Sequence, residues 1–190
     1  MVATVVVRQL HQLCRLFLEW ASYSEDAGPH SFRAFLLDMN KLFEEFVCQI
    51  LRERAPGNAT VETQVSLDLD MAKKIPIRPD IIVRQAGQIS LVADCKYKRL
   101  EPDDFRNYDI YQLLAYCTAT AVSQGILVYP KHIHHIYEQT RIKNTGITIR
   151  QFTIDLSEES ELLIRRCNEF ADRVFAISDC VASVKNGLLS

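Results

Sequence analysis

The spacing of apolar residues predicts helices in the first third of the chain. Residues 4–20 have apolar positions at helical spacing and predict a first helix, and residues 24–30 predict a loop. A second helix is predicted to begin near Ser31 or Asp38, because the apolar residues that follow recur at i, i+3, i+4 and i+7. The Pro-Gly-Asn sequence at 56–58 is expected to end this helix.

The middle of the chain changes to the period of β-strands. Predicted strands are residues 61–69, 81–83, 89–93, 125–129 and 147–154, and predicted helices are 105–122 and 158–184. The order helix, three strands, helix, strand, strand, helix predicts an α/β fold with a central mixed β-sheet flanked by helices. We expect residues 1–30 to form an N-terminal helical extension and residues 31–190 to form one domain.

Composition is that of an ordinary globular protein, with 48% hydrophobic and 24% charged residues in 190. Six widely spaced cysteines without a C-x-x-C pair indicate neither a zinc site nor a disulfide framework. Because no apolar run approaches the ~20 residues of a membrane span, we expect a cytoplasmic protein without a membrane partner. The oligomeric state stays open.

The net charge of −2 provides no overall basic field for nucleic-acid binding, so a DNA partner has to be argued from local features. Basic residues form three groups, each of which is by itself more typical of a solvated surface: Lys73, Lys74 and Arg78; Lys96, Lys98 and Arg99; and Lys131, Arg141 and Lys143. His132, His134 and His135 are candidates for phosphate contacts rather than for metal ligation.

The most informative pattern is Arg78-Pro79-Asp80 followed, after thirteen residues, by Asp94-Cys95-Lys96. Asp94 and Lys96 are two residues apart on a predicted strand, so both side chains leave the same face of the sheet. Asp80 joins that face only if the hairpin has an odd loop, such as residues 86–88, or an equivalent β-bulge. We predict one of these two arrangements, because a plain two-residue turn would separate the carboxylates.

Two carboxylates on one face repel each other unless a cation lies between them. Mg²⁺ prefers such hard oxygen ligands and completes its coordination with water and substrate phosphate, and Mn²⁺ is expected to substitute for it. Lys96 beside the metal would hold a phosphate oxygen or position the attacking water. Asp80, Asp94 and Lys96 therefore suit phosphodiester hydrolysis.

Three segments, residues 38–56, 78–98 and 109–116, resemble the nuclease half of McrC, the cleavage subunit of 5-methylcytosine-specific McrBC restriction systems in the PD-(D/E)xK superfamily. The resemblance implies a restriction-endonuclease-like fold and a DNA endonuclease domain over residues 31–190. It also implies a metal held by Asp80, Asp94 and the Cys95 carbonyl, with Lys96 as the catalytic lysine.

Nucleases of this kind often add an acidic residue from the preceding helix. Glu44 lies at the border of the apolar stripe of that helix and Glu45 almost opposite it, so we favour Glu44, with two solvated charges as the alternative. Gln112 lies between Tyr108 and Tyr116 at helical spacing. In the resembled family a glutamine here supports the active site, although simple packing among the tyrosines is equally compatible.

McrC-like proteins have a further N-terminal region that engages a GTP-driven McrB motor, and this chain begins just upstream of the nuclease core. The chain is then expected to be either a fragment or a stand-alone relative, and the resemblance implies an McrB-like GTPase as the candidate partner. The alternative function is a non-catalytic nuclease-like scaffold that binds DNA or an NTPase. Intact Asp80, Asp94 and Lys96 argue against it.

Overall fold

The protein is described here from a computed structural model that covers residues 38–98, 107–131 and 137–187. The predicted helix at 4–20, the loop at 24–30 and the three histidines at 132–135 lie outside these residues. Within them, no helix has the length and apolar character that crossing a membrane requires.

The first described helix, α1, spans Met39–Arg54 and begins after Asp38, which is the second of the two predicted starts. Asp38 caps it, because Asp38 Oδ1 accepts hydrogen bonds from the N–H groups of Asn40 and Lys41 at 3.0 and 3.2 Å. Its apolar stripe is buried against the sheet. The helix ends two residues before Pro56, as expected.

The described residues form a six-stranded mixed sheet in the order β1-β4-β5-β6-β8-β7 and a two-stranded sheet formed by β2 and β3. The strands are β1 (Ala59–Thr63), β2 (Leu67–Asp68), β3 (Pro76–Ile77), β4 (Ile81–Gln85), β5 (Gln88–Cys95), β6 (Gln124–Pro130), β7 (Tyr137–Arg141) and β8 (Thr148–Ile154). β5, β6 and β8 run parallel, whereas β1, β4 and β7 pair antiparallel with their neighbours. The predicted α/β class with a central mixed sheet is confirmed.

One strand prediction was wrong, and one longer strand was not predicted. The segment 61–69 is not one strand, because the chain turns at Gln64 with φ of 55° and continues into the short β2. β7 was missed altogether. Among the described strands it lies at the edge of the sheet and pairs with β8 alone. Its Tyr-Glu-Gln-Thr-Arg sequence lacks the apolar alternation that reveals a half-buried strand.

Helices cover both faces of the sheet and divide its core in two. Alternate residues of β5 contact opposite sides, so Ala93 packs in the cluster formed with α1 and α3 (Ser160–Gly187), whereas Val92 packs in the cluster formed with α2 (Asn107–Thr120). Asp94 follows Val92 in this alternation and faces the α2 side.

Gly125 on β6 lets α2 approach the sheet closely. A Cβ atom there would lie 2.9 Å from both Cys117 Sγ and Leu113 Cδ2, which are buried side chains of α2. Since α2 also contributes Gln112 and Tyr116, this close approach sets the distance between those side chains and the end of β5.

Candidate functional site

The β4–β5 hairpin brings Asp80 and Asp94 to facing positions through a β-bulge. Its turn is the two-residue Ala86-Gly87, with φ of 48° and 80°, which alone would place the two carboxylates on opposite faces. The pairing of β4 with β5 shifts by one residue between Val83 and Arg84. Beyond this shift Ile81 pairs with Ala93, and the same register places the preceding residue, Asp80, opposite Asp94. The predicted bulge is therefore present, and the alternative odd loop is not.

Ser90 is the extra residue of the bulge and is buried. Its hydroxyl donates to the Val83 carbonyl at 3.0 Å and shares a 2.6 Å hydrogen bond with the Ser178 hydroxyl of α3. These buried hydrogen bonds fix the bulge and so fix which residues of β4 and β5 share a face.

Asp80, Asp94 and Lys96 meet at the carboxyl end of β5. Asp94 is fully buried, and its Oδ2 lies 2.7 Å from Lys96 Nζ. Asp80 Oδ2 accepts a hydrogen bond from the Cys95 N–H at 2.8 Å. The Lys96 N–H donates to the Val128 carbonyl at 2.9 Å, which extends the β5–β6 pairing by one residue and holds Lys96 beside the carboxylates.

Both carboxyl groups have raised pKa values, which means that the protein holds their charges at an energetic disadvantage. Burial, followed by the charge of Asp94, raises the pKa of Asp80 from 3.8 to about 6. Burial also raises the pKa of Asp94, although Lys96 opposes this shift. Burial lowers the pKa of Lys96, but the interactions with Asp94, Asp80 and Asp109 together outweigh burial and the net shift is upward.

A second aspartate–lysine pair, directly after the ends of β6 and β8, has the opposite effect on its carboxylate. Lys131 Nζ also lies 2.7 Å from Asp155 Oδ2, yet hydrogen bonds from Lys131 and Ser157 lower the pKa of Asp155 to about 2. Asp155 is thus stabilised as a carboxylate, whereas Asp80 and Asp94 share one ammonium and remain under-compensated. The site would be stabilised by a further cation.

The donor set fits a hard divalent metal ion. Asp94 Oδ1 is buried without a hydrogen-bond donor among the described residues, so one carboxylate oxygen is available to a cation. Among residues 38–98, 107–131 and 137–187, no three His, Cys, Asp or Glu side chains lie close enough together to form a complete metal site. Two carboxylates completed by main-chain, water and substrate oxygens match the way Mg²⁺ is held.

Glu44 approaches this centre from α1. It is half-buried, whereas Glu45 is exposed, and its Oε1 accepts a hydrogen bond from Gln64 Nε2. Burial raises the pKa of Glu44, and the charge of Asp80 raises it further. Glu44 is therefore within electrostatic reach of Asp80, while its role in binding a metal stays a prediction.

The Cys95 side chain points away from the two carboxylates. Its thiol is buried in the core cluster of α1 and α3, and burial raises its pKa well above the ordinary value. A thiolate ligand is therefore disfavoured at neutral pH. Metal binding by the Cys95 main-chain carbonyl stays a prediction.

Gln112 and Tyr116 line the α2 side of the centre. Gln112 Nε2 donates to the Tyr116 hydroxyl at 2.7 Å, and Gln112 Oε1 is buried without a donor among the described residues. Burial raises the pKa of Tyr116, with Asp94 and Asp80 adding to the shift. Tyr108 is 77% exposed, so it does not share this environment as the sequence pattern suggested.

Asp109 is a third buried carboxylate near the centre that the sequence interpretation missed. It accepts a hydrogen bond from the Tyr129 hydroxyl at 2.7 Å and pairs with Lys98 Nζ at 2.6 Å. Its negative charge raises the pKa of both Asp94 and Lys96. The spacing of Asp109, Gln112 and Tyr116 on one helix face was the available signal.

Comparisons with known proteins agree with one another. A family model described as McrBC 5-methylcytosine restriction system component matches residues 6–130. A chain in the refined half-complex from the tetradecameric assembly of Thermococcus gammatolerans McrB AAA+ hexamers with bound McrC is similar in fold, with a TM-score of 0.56 and 19% sequence identity. The match covers 70% of this chain and 33% of that chain, so the present chain spans about a third of its neighbour. A comparison with curated proteins gives no match.

Proposed function

The chain belongs to the family of McrBC 5-methylcytosine restriction system components, and from this premise we propose that it is a metal-dependent DNA endonuclease with a restriction-endonuclease-like fold. Asp80, Asp94 and Lys96 form its catalytic centre, and cleavage of DNA phosphodiester bonds serves a restriction or defence system. The observation that carries the proposal is the pair of facing carboxylates, Asp94 fully buried and Asp80 half-buried, beside Lys96.

Energetics support a catalytic rather than a structural interpretation of this pair. An ion pair that only stabilises the fold would lower the pKa of its carboxylate, as at Asp155. At the end of β5 the pKa of each aspartate is raised instead. Strongly perturbed carboxylates that lie together are characteristic of sites whose charge is completed by a ligand.

Mg²⁺, or Mn²⁺ in its place, would be held by Asp80, Asp94 and the Cys95 carbonyl, and would supply Lewis-acid stabilisation and a more acidic water molecule. Lys96 donates hydrogen bonds from its ammonium to a non-bridging phosphate oxygen, which offsets the charge that develops there during hydrolysis. Asp94 orients that ammonium through their 2.7 Å contact. Glu44 adds negative charge on the Asp80 side and accepts hydrogen bonds from water.

Gln112 and Tyr116 support the centre from α2. Their mutual hydrogen bond fixes the orientation of the Gln112 amide, whose buried oxygen has no donor among the described residues and would accept a hydrogen bond from a water molecule in the occupied site. Restricting water and side-chain motion in this way keeps the reacting groups in one arrangement.

An McrB-like GTPase motor is the proposed partner, since McrB AAA+ hexamers accompany McrC in the similar structure. With a net charge of −2, the chain gains little affinity from long-range attraction to DNA. A motor that delivers DNA to the site would replace intrinsic affinity by high local concentration. The isolated chain is then expected to cut slowly and with little sequence preference.

The test is cleavage of methylated and unmethylated supercoiled plasmid in Mg²⁺, in Mn²⁺ and in EDTA, with and without an McrB-like motor and GTP. We expect metal-dependent cutting that the motor accelerates. Metal binding without cutting under all these conditions would contradict the proposal and favour a non-catalytic scaffold that binds DNA or an NTPase. Tight, sequence-selective cutting by the isolated chain would remove the need for the motor.

A further inference from the structure

The β2–β3 hairpin (residues 67–77) is an ordered element with an exposed tip. Its two short strands pair antiparallel, and the Leu69 N–H donates to the Ile75 carbonyl at 2.9 Å. Asp70 closes the tip, because its Oδ1 accepts hydrogen bonds from the N–H groups of Lys74 and Ile75, each at 2.8 Å. Local hydrogen bonds, rather than burial of the tip, therefore maintain its shape.

The composition of this tip is unusual for a connecting turn. Met71 is fully exposed and Ile75 is 51% exposed, and these are two of the five exposed large hydrophobic residues in the described parts of the chain. Lys73 and Lys74 lie between them and are also exposed. Turns that only connect strands generally present small polar residues, so apolar and basic side chains held on an ordered turn point to a binding surface.

The base of the hairpin stands beside the proposed catalytic centre. Leu67 and Ile77 pack against the core cluster that contains Tyr116, which is the face of the sheet on which Asp94 lies. Arg78 follows directly, and its Nε donates to the Gln64 carbonyl at 3.1 Å. Burial raises the pKa of Glu44, and the positive charge of Arg78 partly opposes this rise. A ligand at the tip would thus extend towards the carboxylates.

We propose that the β2–β3 hairpin binds double-stranded DNA next to the cleavage centre. Lys73 and Lys74 contact backbone phosphates, and Met71 enters a groove of the duplex. This inference rests on the proposed function, since it assigns the surface that holds the substrate of that centre.

The hairpin has two aspartates and two lysines, but the Asp70 carboxylate is bound by main-chain N–H groups, so Lys73 and Lys74 supply the exposed positive charge of the tip and favour DNA over a protein partner. Protein interfaces are depleted in lysine, whereas lysine neutralises DNA phosphates directly. Methionine and isoleucine are among the apolar side chains that DNA-binding proteins insert between or against bases. Two exposed apolar side chains also supply much less apolar contact than a stable protein interface of about 1,200 Å² or more requires.

The experiment is titration of a fluorescent DNA duplex with the full chain in EDTA at several salt concentrations, so that binding is measured without cleavage. Removal of two phosphate contacts in K73A/K74A should weaken binding by a few tens of fold at about 0.1 M salt and reduce the salt slope by about 2. M71A should weaken binding several-fold without changing the slope. The matched control is K143A/R173A, which removes two exposed charges from the opposite end of the sheet and from α3.

Wild-type affinity and slope in K73A/K74A would overturn the inference and leave the hairpin to a protein partner. An equal loss in K143A/R173A would overturn it too, because binding would then depend only on total charge. Circular dichroism should show unchanged folding, since the altered side chains are exposed. Plasmid cleavage separates the two proposals. If the hairpin binds DNA but the wild type does not cleave it, only the proposed nuclease activity is contradicted. If the wild type cleaves DNA and K73A/K74A binds as tightly as the wild type, only the proposed role of the hairpin is contradicted.

Discussion

Replacing Asp80 with Asn should stabilise the protein in the absence of metal while removing its response to Mg²⁺. Asn retains the shape of the side chain and an oxygen that accepts the 2.8 Å hydrogen bond from the Cys95 N–H. It lacks the negative charge that lies opposite Asp94. The substitution therefore isolates the electrostatic cost of the second carboxylate from its contribution to packing.

The raised pKa of Asp80 gives the size and the pH range of this cost. Because the pKa is 3.8 in the unfolded chain and about 6 in the folded protein, the carboxyl group imposes no cost below pH 3.8, and stability falls as the pH rises through 6. The full shift corresponds to about 3 kcal/mol. This shift already includes the favourable interaction of Asp80 with Lys96, so we expect the neutral Asn side chain to stabilise the folded protein by about 1–3 kcal/mol at pH 7.5.

The assay is urea unfolding of the wild type and Asp80→Asn at pH 7.5, first in EDTA and then in Mg²⁺. Binding only to the folded state adds about 1.4 kcal/mol at ten times the dissociation constant. The wild type should gain this stability with Mg²⁺, and Asp80→Asn should gain much less. Near pH 3.5, where the carboxyl group is protonated, the two proteins should be equally stable.

Asp68→Asn is the matched control, because Asp68 is an exposed carboxylate of the same size and should change stability by less than about 0.5 kcal/mol. A lower stability of Asp80→Asn than of the wild type in EDTA would refute the argument that the carboxylates repel each other. Equal stabilisation of both proteins by Mg²⁺ would refute the assignment of Asp80 as a ligand.

Substitutions at three further positions, Lys96, Glu44 and Gly125, test the roles of these residues. Lys96→Ala should lose most cleavage but keep its Mg²⁺ affinity, and Lys96→Arg should rescue cleavage poorly because a planar guanidinium does not replace a compact ammonium; equal loss of metal affinity would indicate a structural lysine. Glu44→Gln should lower the cleavage rate and Mg²⁺ affinity, whereas the substitution of its exposed neighbour, Glu45→Gln, should do neither. A wild-type cleavage rate and Mg²⁺ affinity in Glu44→Gln would place Glu44 outside the site. Gly125→Ala should destabilise the protein by about 1–3 kcal/mol in urea unfolding, since its Cβ would overlap Cys117; unchanged stability would mean that α2 is not held this close to β6.

Local patterns in the sequence were enough to predict the helix that begins after Asp38 and the shared face of Asp94 and Lys96. The β-bulge was also predictable, because only an irregular hairpin brings Asp80 onto that face. The residue that forms it, Ser90, was not, since its buried hydrogen bond joins it to Ser178 in a helix 88 residues away.

The missed features depend on contacts between distant parts of the chain or on very short elements. Asp109 was overlooked because its partners, Lys98 and Tyr129, come from either side of it and meet only in the folded protein. The strands β2 and β3 contain two residues each, too few to produce an apolar period. Their pairing follows from the turn that Asp70 closes.

Single-turnover plasmid cleavage by Asp94→Ala and Asp155→Ala decides whether Asp94 belongs to a catalytic centre. Both aspartates form a 2.7 Å ion pair with a lysine, but only Asp94 faces a second carboxylate. The account predicts that Asp94→Ala abolishes cleavage in Mg²⁺ and in Mn²⁺, whereas Asp155→Ala, assayed at a temperature where it remains folded, cuts at nearly the wild-type rate. Cleavage by Asp94→Ala at a rate close to that of the wild type would contradict the assignment of the catalytic centre.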